Sequence, residues 1–309
     1  MIVIGCSVNP ELLIKTIGSS AEKPLLESVE ADFTGSSVTA GRAALALNLE
    51  VKTFGLVGPN NSLASLLLSH ALNGNGKHVH CLEVLNETSL AVIPHDSASK
   101  ERVKVFGKKG RIVPEKVGPA CEELRQLVAD CDGDSIVALT GFREEERPFA
   151  DVMLSRFPKG NRVLIPRPEF CPKLMESGLL GEIDCLVVNE QEFIHIGRSL
   201  SEIVNNGPRI VVVTNGSNGG TCFFEGGVEW QYNSHRLTDR ESPGTGDWFL
   251  GAVLAFMDYH HLSFSAVTHN EFHQAVKFAA MVAGHKATMP GAKNGPPPAK
   301  ILELLQSTH

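Results

Sequence analysis

The residues best suited to chemistry lie in the stretch Glu241-Ser242-Pro243-Gly244-Thr245-Gly246-Asp247. Pro243 and the two glycines indicate a tight turn, and the apolar run through Phe256 predicts a helix that begins near Asp247. Backbone N–H groups in such a turn, at the positive end of a helix dipole, can hold an anion. Asp247 alone could be an ordinary helix cap. Two glycines followed by a carboxylate instead favour a site where Asp247 takes a proton from a hydroxyl while the turn holds a phosphate.

With the residues that follow it, this stretch resembles the signature of the ribokinase (PfkB-type) family of sugar and nucleoside kinases. The positions that agree with the signature are Gly244, Gly246, Asp247, Phe249, Gly251 and Ala252. The positions that depart from it are Glu241, Ser242, Pro243 and Thr245. The resemblance implies that Asp247 is the general base. It also implies that the backbone of Gly244, Thr245 and Gly246 is the anion hole for the transferring phosphoryl group.

A second match follows the apolar strand pattern Cys185–Val188, where Asn189-Glu190-Gln191-Glu192 stands at the end that binds ligands in open α/β sheets. The family has N-x-x-E here, so the resemblance implies that Asn189 and Glu192 place Mg²⁺ and phosphate, with the metal contact through water. A contact through water suits Mg²⁺, because this ion gives up its bound waters reluctantly. The same four residues form a helix-capping pattern, and both roles can hold together.

The resemblance also implies ATP contacts in two glycine-containing segments. The family's T-x-G-x-x-G corresponds to Thr214, Gly216 and Gly219, and its glycine–alanine turn beside the adenine corresponds to Gly291 and Ala292. Taken alone, the first segment is explained as a glycine-rich connection before the hairpin of Thr221–Phe224 and Val228–Tyr232.

The acceptor side departs more from the family. Pro10 stands where the family has an Asp that binds substrate hydroxyls, and Thr39 stands where it has an Asn. The resemblance implies acceptor contacts from Asn9, Gly35, Ser36, Thr39 and Arg102. Because Pro10 and Thr39 replace a charged group and an amide group that would bind substrate hydroxyls, we expect poor activity on ribose and fructose. We expect a less common acceptor, such as an inositol or a nucleoside.

The pattern of strands and helices predicts an α/β fold. From Pro114 onward strands and helices alternate, which indicates a mostly parallel central sheet with helices on both faces. A short helix is predicted over Glu169–Met175. The β-rich runs Glu87–Ile93 and Arg102–Phe106 break the alternation. The resemblance implies a single ribokinase-like three-layer domain over residues 1–309, with a small β lid formed by about 10–36 and 87–110.

Composition narrows the classes of partner. The net charge of −7 argues against nucleic acid, and no apolar run approaches a membrane span. Seven cysteines without C-x-x-C spacing and a first strand without signal-peptide features predict a cytoplasmic protein with reduced thiols. Two close histidine pairs lack further ligands, so no metal cage is expected.

The leading hypothesis is an ATP- and Mg²⁺-dependent kinase for a hydroxyl of a small sugar or polyol, inositol-like compounds included. An adenosine-like nucleoside kinase is the alternative within enzymes. From another class, a nucleotide-binding protein without catalysis would explain the departures at Pro10 and at Glu241-Ser242-Pro243, although the presence of Asp247 argues against it. A dehydrogenase is disfavoured because no G-x-G-x-x-G follows the first strand. Two alternatives stay open: activity with or without a monovalent cation, and a monomer or a homodimer that pairs through the lid.

Overall fold

The computed structural model describes residues 1–6, 9–17, 25–72, 76–96, 105–106, 110–238, 243–289 and 294–308. Within these ranges the chain forms a nine-stranded central sheet and a separate four-stranded sheet. The strands of the central sheet are β1 Ile2–Cys6, β4 Val51–Val57, β5 Val79–Glu83, β8 Ile136–Phe142, β9 Arg162–Pro166, β10 Cys185–Asn189, β11 Ile210–Thr214, β12 Gly220–Phe224 and β13 Val228–Tyr232. The strands of the second sheet are β2 Asn9–Ile17, β3 Leu25–Thr34, β6 Ala91–Asp96 and β7 Val105–Phe106. The helices are α1 Ser36–Ala46, α2 Leu63–Leu72, α3 Pro114–Leu127, α4 Arg147–Arg156, α5 Glu190–Ile196, α6 Leu200–Asn205, α7 Thr245–Tyr259, α8 His269–Ala287 and α9 Pro298–Gln306.

The central sheet is mostly parallel, as the alternation of strands and helices predicted. Its order is β13-β12-β11-β10-β9-β8-β1-β4-β5, and only β12 and β13, at one edge, are antiparallel to their neighbours. From β1 the chain proceeds to β4 and β5 on one side, then returns to β8 on the other side of β1. Such a reversal opens a crevice at the carboxyl ends of the strands, where ligands bind in open α/β sheets.

Helices cover both faces of the central sheet because successive strand residues point to opposite faces. In β10, Cys185 and Val187 join a core formed with α1, α7, α8 and α9. Leu186 and Val188 join a second core, formed with residues of α3, α4, α5 and α6. The three-layer arrangement expected from the resemblance is therefore confirmed.

Helix α7 lies in the middle of the first core, and this explains why its sequence is apolar on all sides. Its residues from Trp248 to Met257 are buried. A Cβ atom at Gly251 would stand 1.9 Å from the carbonyl oxygen of Ala40 in α1. Glycine at this position is therefore what lets the two helices approach so closely.

The second sheet has the order β3-β2-β6-β7, with β2 antiparallel to β3 and parallel to β6. Thr88 lies where the chain leaves the central sheet for β6. Its buried hydroxyl accepts a hydrogen bond from the Gly58 N–H at 2.9 Å and lies 2.9 Å from the Ser65 hydroxyl. Thr88 therefore connects the start of the segment that leads to β6 with the loop after β4 and with α2.

One local prediction was wrong, and one helix was missed. The stretch Glu169–Met175 forms only a 3₁₀ turn at Cys171–Lys173, because Pro172 has no N–H to donate and would clash with the preceding turn of an α-helix. Helix α6 was not predicted, although Ser199 and Glu202 form a reciprocal capping box at its start, and this Ser-x-x-Glu pattern is readable in the sequence. In the described part of the chain, no helix has the length and apolar character needed to cross a membrane.

Candidate active site

Two adjoining cavities lie at the carboxyl ends of β8 to β11. The first, here called the carboxylate cavity, has a volume of about 400 Å³ and is lined by the acidic residues Glu169, Glu192 and Asp247. The second, here called the glycine cavity, has a volume of about 610 Å³ and is lined by Gly216 and Gly219, among others. The residues that line both cavities are Asn189, Thr214, Gly244 and Gly246. The turn before α7 therefore stands at the boundary between the two cavities.

The turn is built by a left-handed glycine. Gly244 has φ 80° and caps α7 without a side chain, and its carbonyl accepts the Trp248 N–H at 2.9 Å as the first bond of the helix. The N–H groups of a helix's first turn have no intrahelical acceptor, and the helix dipole adds positive potential there. A Cβ at Gly246 would meet no atom of the described residues within 4 Å, apart from those of its own chain neighbours and helix backbone. The backbone at Gly246 is therefore open on a side where an anion can approach closely.

The first turn of α7 places different side chains towards the two cavities. Asp247 and Leu250 line the carboxylate cavity, whereas Thr245 and Phe249 line the glycine cavity. Asp247 is half-buried. The turn thus separates a carboxylate on one side from a larger, glycine-lined space on the other, and this arrangement suits transfer of an anionic group across the turn.

Asn189 and Glu192 form the capping box that their spacing predicted. The Glu192 N–H donates to Asn189 Oδ1 at 2.9 Å, and the Asn189 N–H donates to Glu192 Oε2 at 2.8 Å. Burial raises the pKa of Glu192, and the negative charge of Asp247 raises it further. Two carboxylates that repel one another in this way favour a cation between them.

These residues fit a water-mediated Mg²⁺ ion better than a direct cage. Within the described ranges, no group of three or more His, Cys, Asp or Glu side chains could hold a metal ion. In the capping box, the Asn189 N–H donates to Glu192 Oε2 and not to Oε1. Mg²⁺ keeps several waters and takes one or two carboxylates together with substrate phosphates, so a single remaining carboxylate oxygen suits it.

Two of the remaining predicted contact residues also lie at these cavities. Gly35 and Ser36 line the carboxylate cavity. Thr39 is fully buried in α1, and its N–H donates to the Gly35 carbonyl at 2.9 Å. A substrate contact from Thr39 would therefore require its neighbours to move. Asn9 belongs to β2, where only the backbone is described. The predicted contacts outside the described residues are Arg102, Gly291 and Ala292.

Sequence reasoning missed Arg167 and Glu169, which also line the carboxylate cavity. Both follow β9 directly, as Asn189 ends β10, so the rule that ligands bind beyond the carboxyl ends of parallel strands could have found them. The wrong helix prediction over Glu169–Met175 obscured this position.

Comparison with solved structures finds the same fold along the whole chain. Phosphofructokinase-2 from Escherichia coli in complex with potassium has a TM-score of 0.76 and 14% identity, with 100% of this chain and 98% of that chain covered. A nucleoside kinase from Burkholderia thailandensis in complex with inosine has a TM-score of 0.67 and 18% identity, with 99% and 98% covered. A ribokinase from Arabidopsis thaliana complexed with ribose and ATP has a TM-score of 0.64 and 19% identity, again with 99% and 98% covered.

No protein-family model and no curated protein matches the sequence. At 12–19% identity the solved structures share the architecture of this chain rather than a readily aligned sequence. The sheet order, the two helical layers and the full-length coverage agree. The chain therefore has the ribokinase-like α/β fold.

Proposed function

We propose that this chain is an ATP-dependent kinase that phosphorylates a hydroxyl group of a small sugar, polyol or nucleoside. The observation that carries this proposal is the position of the Gly244–Gly246 turn between two cavities, with Asp247 on one side only. Similarity of fold to a ribokinase complexed with ribose and ATP and to a nucleoside kinase complexed with inosine supports the same class of reaction.

In this proposal ATP occupies the glycine cavity. Its phosphates point to the Gly244–Gly246 turn, where backbone N–H groups and the helix dipole stabilise negative charge on the transferring phosphoryl group. Thr214 lines both cavities, and in this proposal it contacts a phosphate of ATP. Asn189 and Glu192 would hold a hydrated Mg²⁺ ion, which when bound neutralises charge on the phosphate oxygens.

The acceptor occupies the carboxylate cavity, with its hydroxyl facing Asp247. The carboxylate receives the hydroxyl proton as the oxygen attacks the phosphoryl group. Positioning of ATP and the acceptor by the residues that line the two cavities supplies much of the remaining rate enhancement. A volume of about 400 Å³ lies at the small end of the range for ligand sites, so it favours an acceptor of one ring. Pro10 and Thr39 disfavour free ribose and fructose, so among acceptors of this size an inositol is the preferred candidate, with a nucleoside as the alternative.

The test is phosphoryl transfer from Mg·ATP across a panel of monosaccharides, inositols and nucleosides, with wild type and Asp247→Asn. The Asn variant keeps the shape of the side chain and removes the base, so kcat should fall about 10²–10⁴-fold while ATP affinity changes little. Asp151→Asn, at an exposed position in α4, is the matched control and should leave both unchanged.

Two results would overturn the proposal. If ATP binds but no acceptor in the panel is phosphorylated, a nucleotide-binding protein without catalysis explains the site better. If Asp247→Asn turns over its best acceptor at a near-normal rate, Asp247 is only a helix cap.

A further inference from the structure

Arg167 lies in the carboxylate cavity among groups of opposite charge. Of the described residues that line this cavity, it is the one basic side chain, whereas Glu169, Glu192 and Asp247 are acidic. With these carboxylates ionised, the formal charge of the lining is +1 − 3 = −2. A phosphate entering this cavity would be repelled by the carboxylates, and among these lining residues Arg167 is the one whose charge attracts it.

The backbone of Arg167 is held on both sides. Its N–H donates to the Phe142 carbonyl at 3.0 Å, and its own carbonyl accepts the Phe170 N–H at 2.9 Å. Pro166 and Pro168 flank it, and each proline fixes one backbone angle. The position of this residue at the end of β9 is therefore set before any ligand binds.

The guanidinium group is oriented by one hydrogen bond. Its Nε–H donates to the carbonyl of Gly141 at 2.8 Å. Gly141 has φ 59° and lies where the pairing of β8 with β9 shifts register, as in a β-bulge that redirects a strand end. This bond fixes the plane of the guanidinium and leaves the two terminal nitrogens available.

No protein group in the described part of the chain uses those terminal nitrogens. Arg167 forms no ion pair there, and its one side-chain hydrogen bond is the bond to Gly141. The nearby Glu146 is already bound by Arg143, whose Nε donates to Glu146 Oε1 at 2.8 Å. An ordered arginine fork whose terminal nitrogens bond no described protein group, in a cavity lined by carboxylates, is suited to an anionic ligand.

We infer that Arg167 binds the phosphoryl group during its transfer, opposite the Gly244–Gly246 turn. This inference rests on the proposed function. Strand β9 lies between β10, which carries Asn189, and β8, which carries Gly141. Arg167 lines the carboxylate cavity and not the glycine cavity. It is therefore placed for the terminal phosphate, which crosses the turn, and not for the phosphates that stay with the nucleotide.

The experiment compares binding of Mg·AMP-PNP and Mg·ADP by calorimetry in wild type, Arg167→Gln, Arg167→Lys and the exposed control Arg198→Gln. Because charge-assisted hydrogen bonds to the terminal phosphate are lost, Arg167→Gln should weaken AMP-PNP binding at least about 10-fold. ADP binding should stay within about twofold of wild type, since ADP lacks that phosphate. Arg167→Lys keeps the charge without the fork and should give an intermediate value.

A second measurement distinguishes whether Arg167 binds the terminal phosphate of the nucleotide or an anionic group of the acceptor. With a neutral acceptor, Arg167→Gln should lower kcat and leave the acceptor KM unchanged, and added free guanidinium should partly restore kcat in Arg167→Ala. An unchanged AMP-PNP affinity together with a raised KM for anionic acceptors only would overturn the inference, because Arg167 would then bind the acceptor.

If Arg167→Gln loses the same affinity for ADP as for AMP-PNP, the inference is overturned while the proposed function stands. The same holds if a lowered melting temperature of this variant explains its weaker binding of both nucleotides. If wild-type protein binds neither nucleotide, the proposed function fails, and the inference fails with it. The control Arg198→Gln should match wild type in every measurement.

Discussion

Gly246→Ala should separate the stability of the protein from its activity. Gly246 is the second residue of α7 and has no left-handed φ angle, so alanine fits the backbone. Its added Cβ would contact no described residue outside its own turn of the helix. Replacing glycine by alanine in a helix is worth up to about 1 kcal/mol, so the free energy of unfolding should stay constant or rise slightly.

The effect on ligand binding should have the opposite sign. The space that the new methyl group would occupy belongs to the boundary of both cavities, where the proposal places the transferring phosphate. A methyl group there keeps the phosphate from approaching the backbone N–H groups. Loss of one such contact in a transition state typically costs about 10²–10³-fold in kcat.

Gly251→Ala is the matched control on the same helix. Its Cβ would stand 1.9 Å from the Ala40 carbonyl oxygen and 2.7 Å from the carbonyl carbon, both backbone atoms of α1. The helices would have to move apart, and overpacking of this kind typically costs about 1–3 kcal/mol. We therefore expect Gly251→Ala to lower stability.

The assays are thermal unfolding with and without Mg·ATP, and turnover of the best acceptor. For Gly246→Ala we expect an unchanged or raised melting temperature without ligand, a smaller shift on adding ATP, and lower kcat. If Gly246→Ala binds ATP and turns over like wild type, the turn before α7 is not the anion site. If Gly251→Ala is as stable as wild type, the packing argument for α1 and α7 is wrong.

Two further predictions concern Glu192 and Thr88. Because burial raises the pKa of Glu192 above its ordinary value, its protonation begins at a higher pH than for an exposed glutamate. The Mg·ATP requirement should therefore rise as the pH falls, with Glu192→Gln showing a weaker dependence, and equal pH profiles would contradict a metal role. Thr88→Val leaves the Gly58 N–H without its acceptor, so the free energy of unfolding should fall by about 1–3 kcal/mol, measured by urea denaturation. The exposed Thr288→Val should change it by less than about 0.5 kcal/mol, and equal effects of the two variants would refute a structural role for Thr88.

Local patterns in the sequence predicted most elements that position the candidate site. The apolar pattern of Val51–Val57 predicts a strand and that of Leu63–Leu72 predicts a helix, and β4 and α2 have these bounds. The helix after the glycine-rich turn begins at Thr245, two residues before its predicted start. These features depend on hydrophobic period, turn residues and capping, all of which act within a few residues of the chain.

The tertiary structure decided which loops meet. Arg167 follows Pro166 in an unremarkable stretch of sequence, and only the order β8-β9-β10 brings its guanidinium to Gly141 and into the same cavity as Asp247. Thr39 stands where the resemblance has a substrate-binding Asn, yet helix packing buries it completely.

The sequence alone therefore indicated the kind of fold and predicted an anion site with a neighbouring carboxylate at the Gly244–Asp247 turn. It could not determine the lining of the cavities, because strand order and helix contacts join residues that are far apart in the chain. Gly251 shows the difference: the sequence shows a glycine in a helix, and only the contact with Ala40 explains why no larger residue fits.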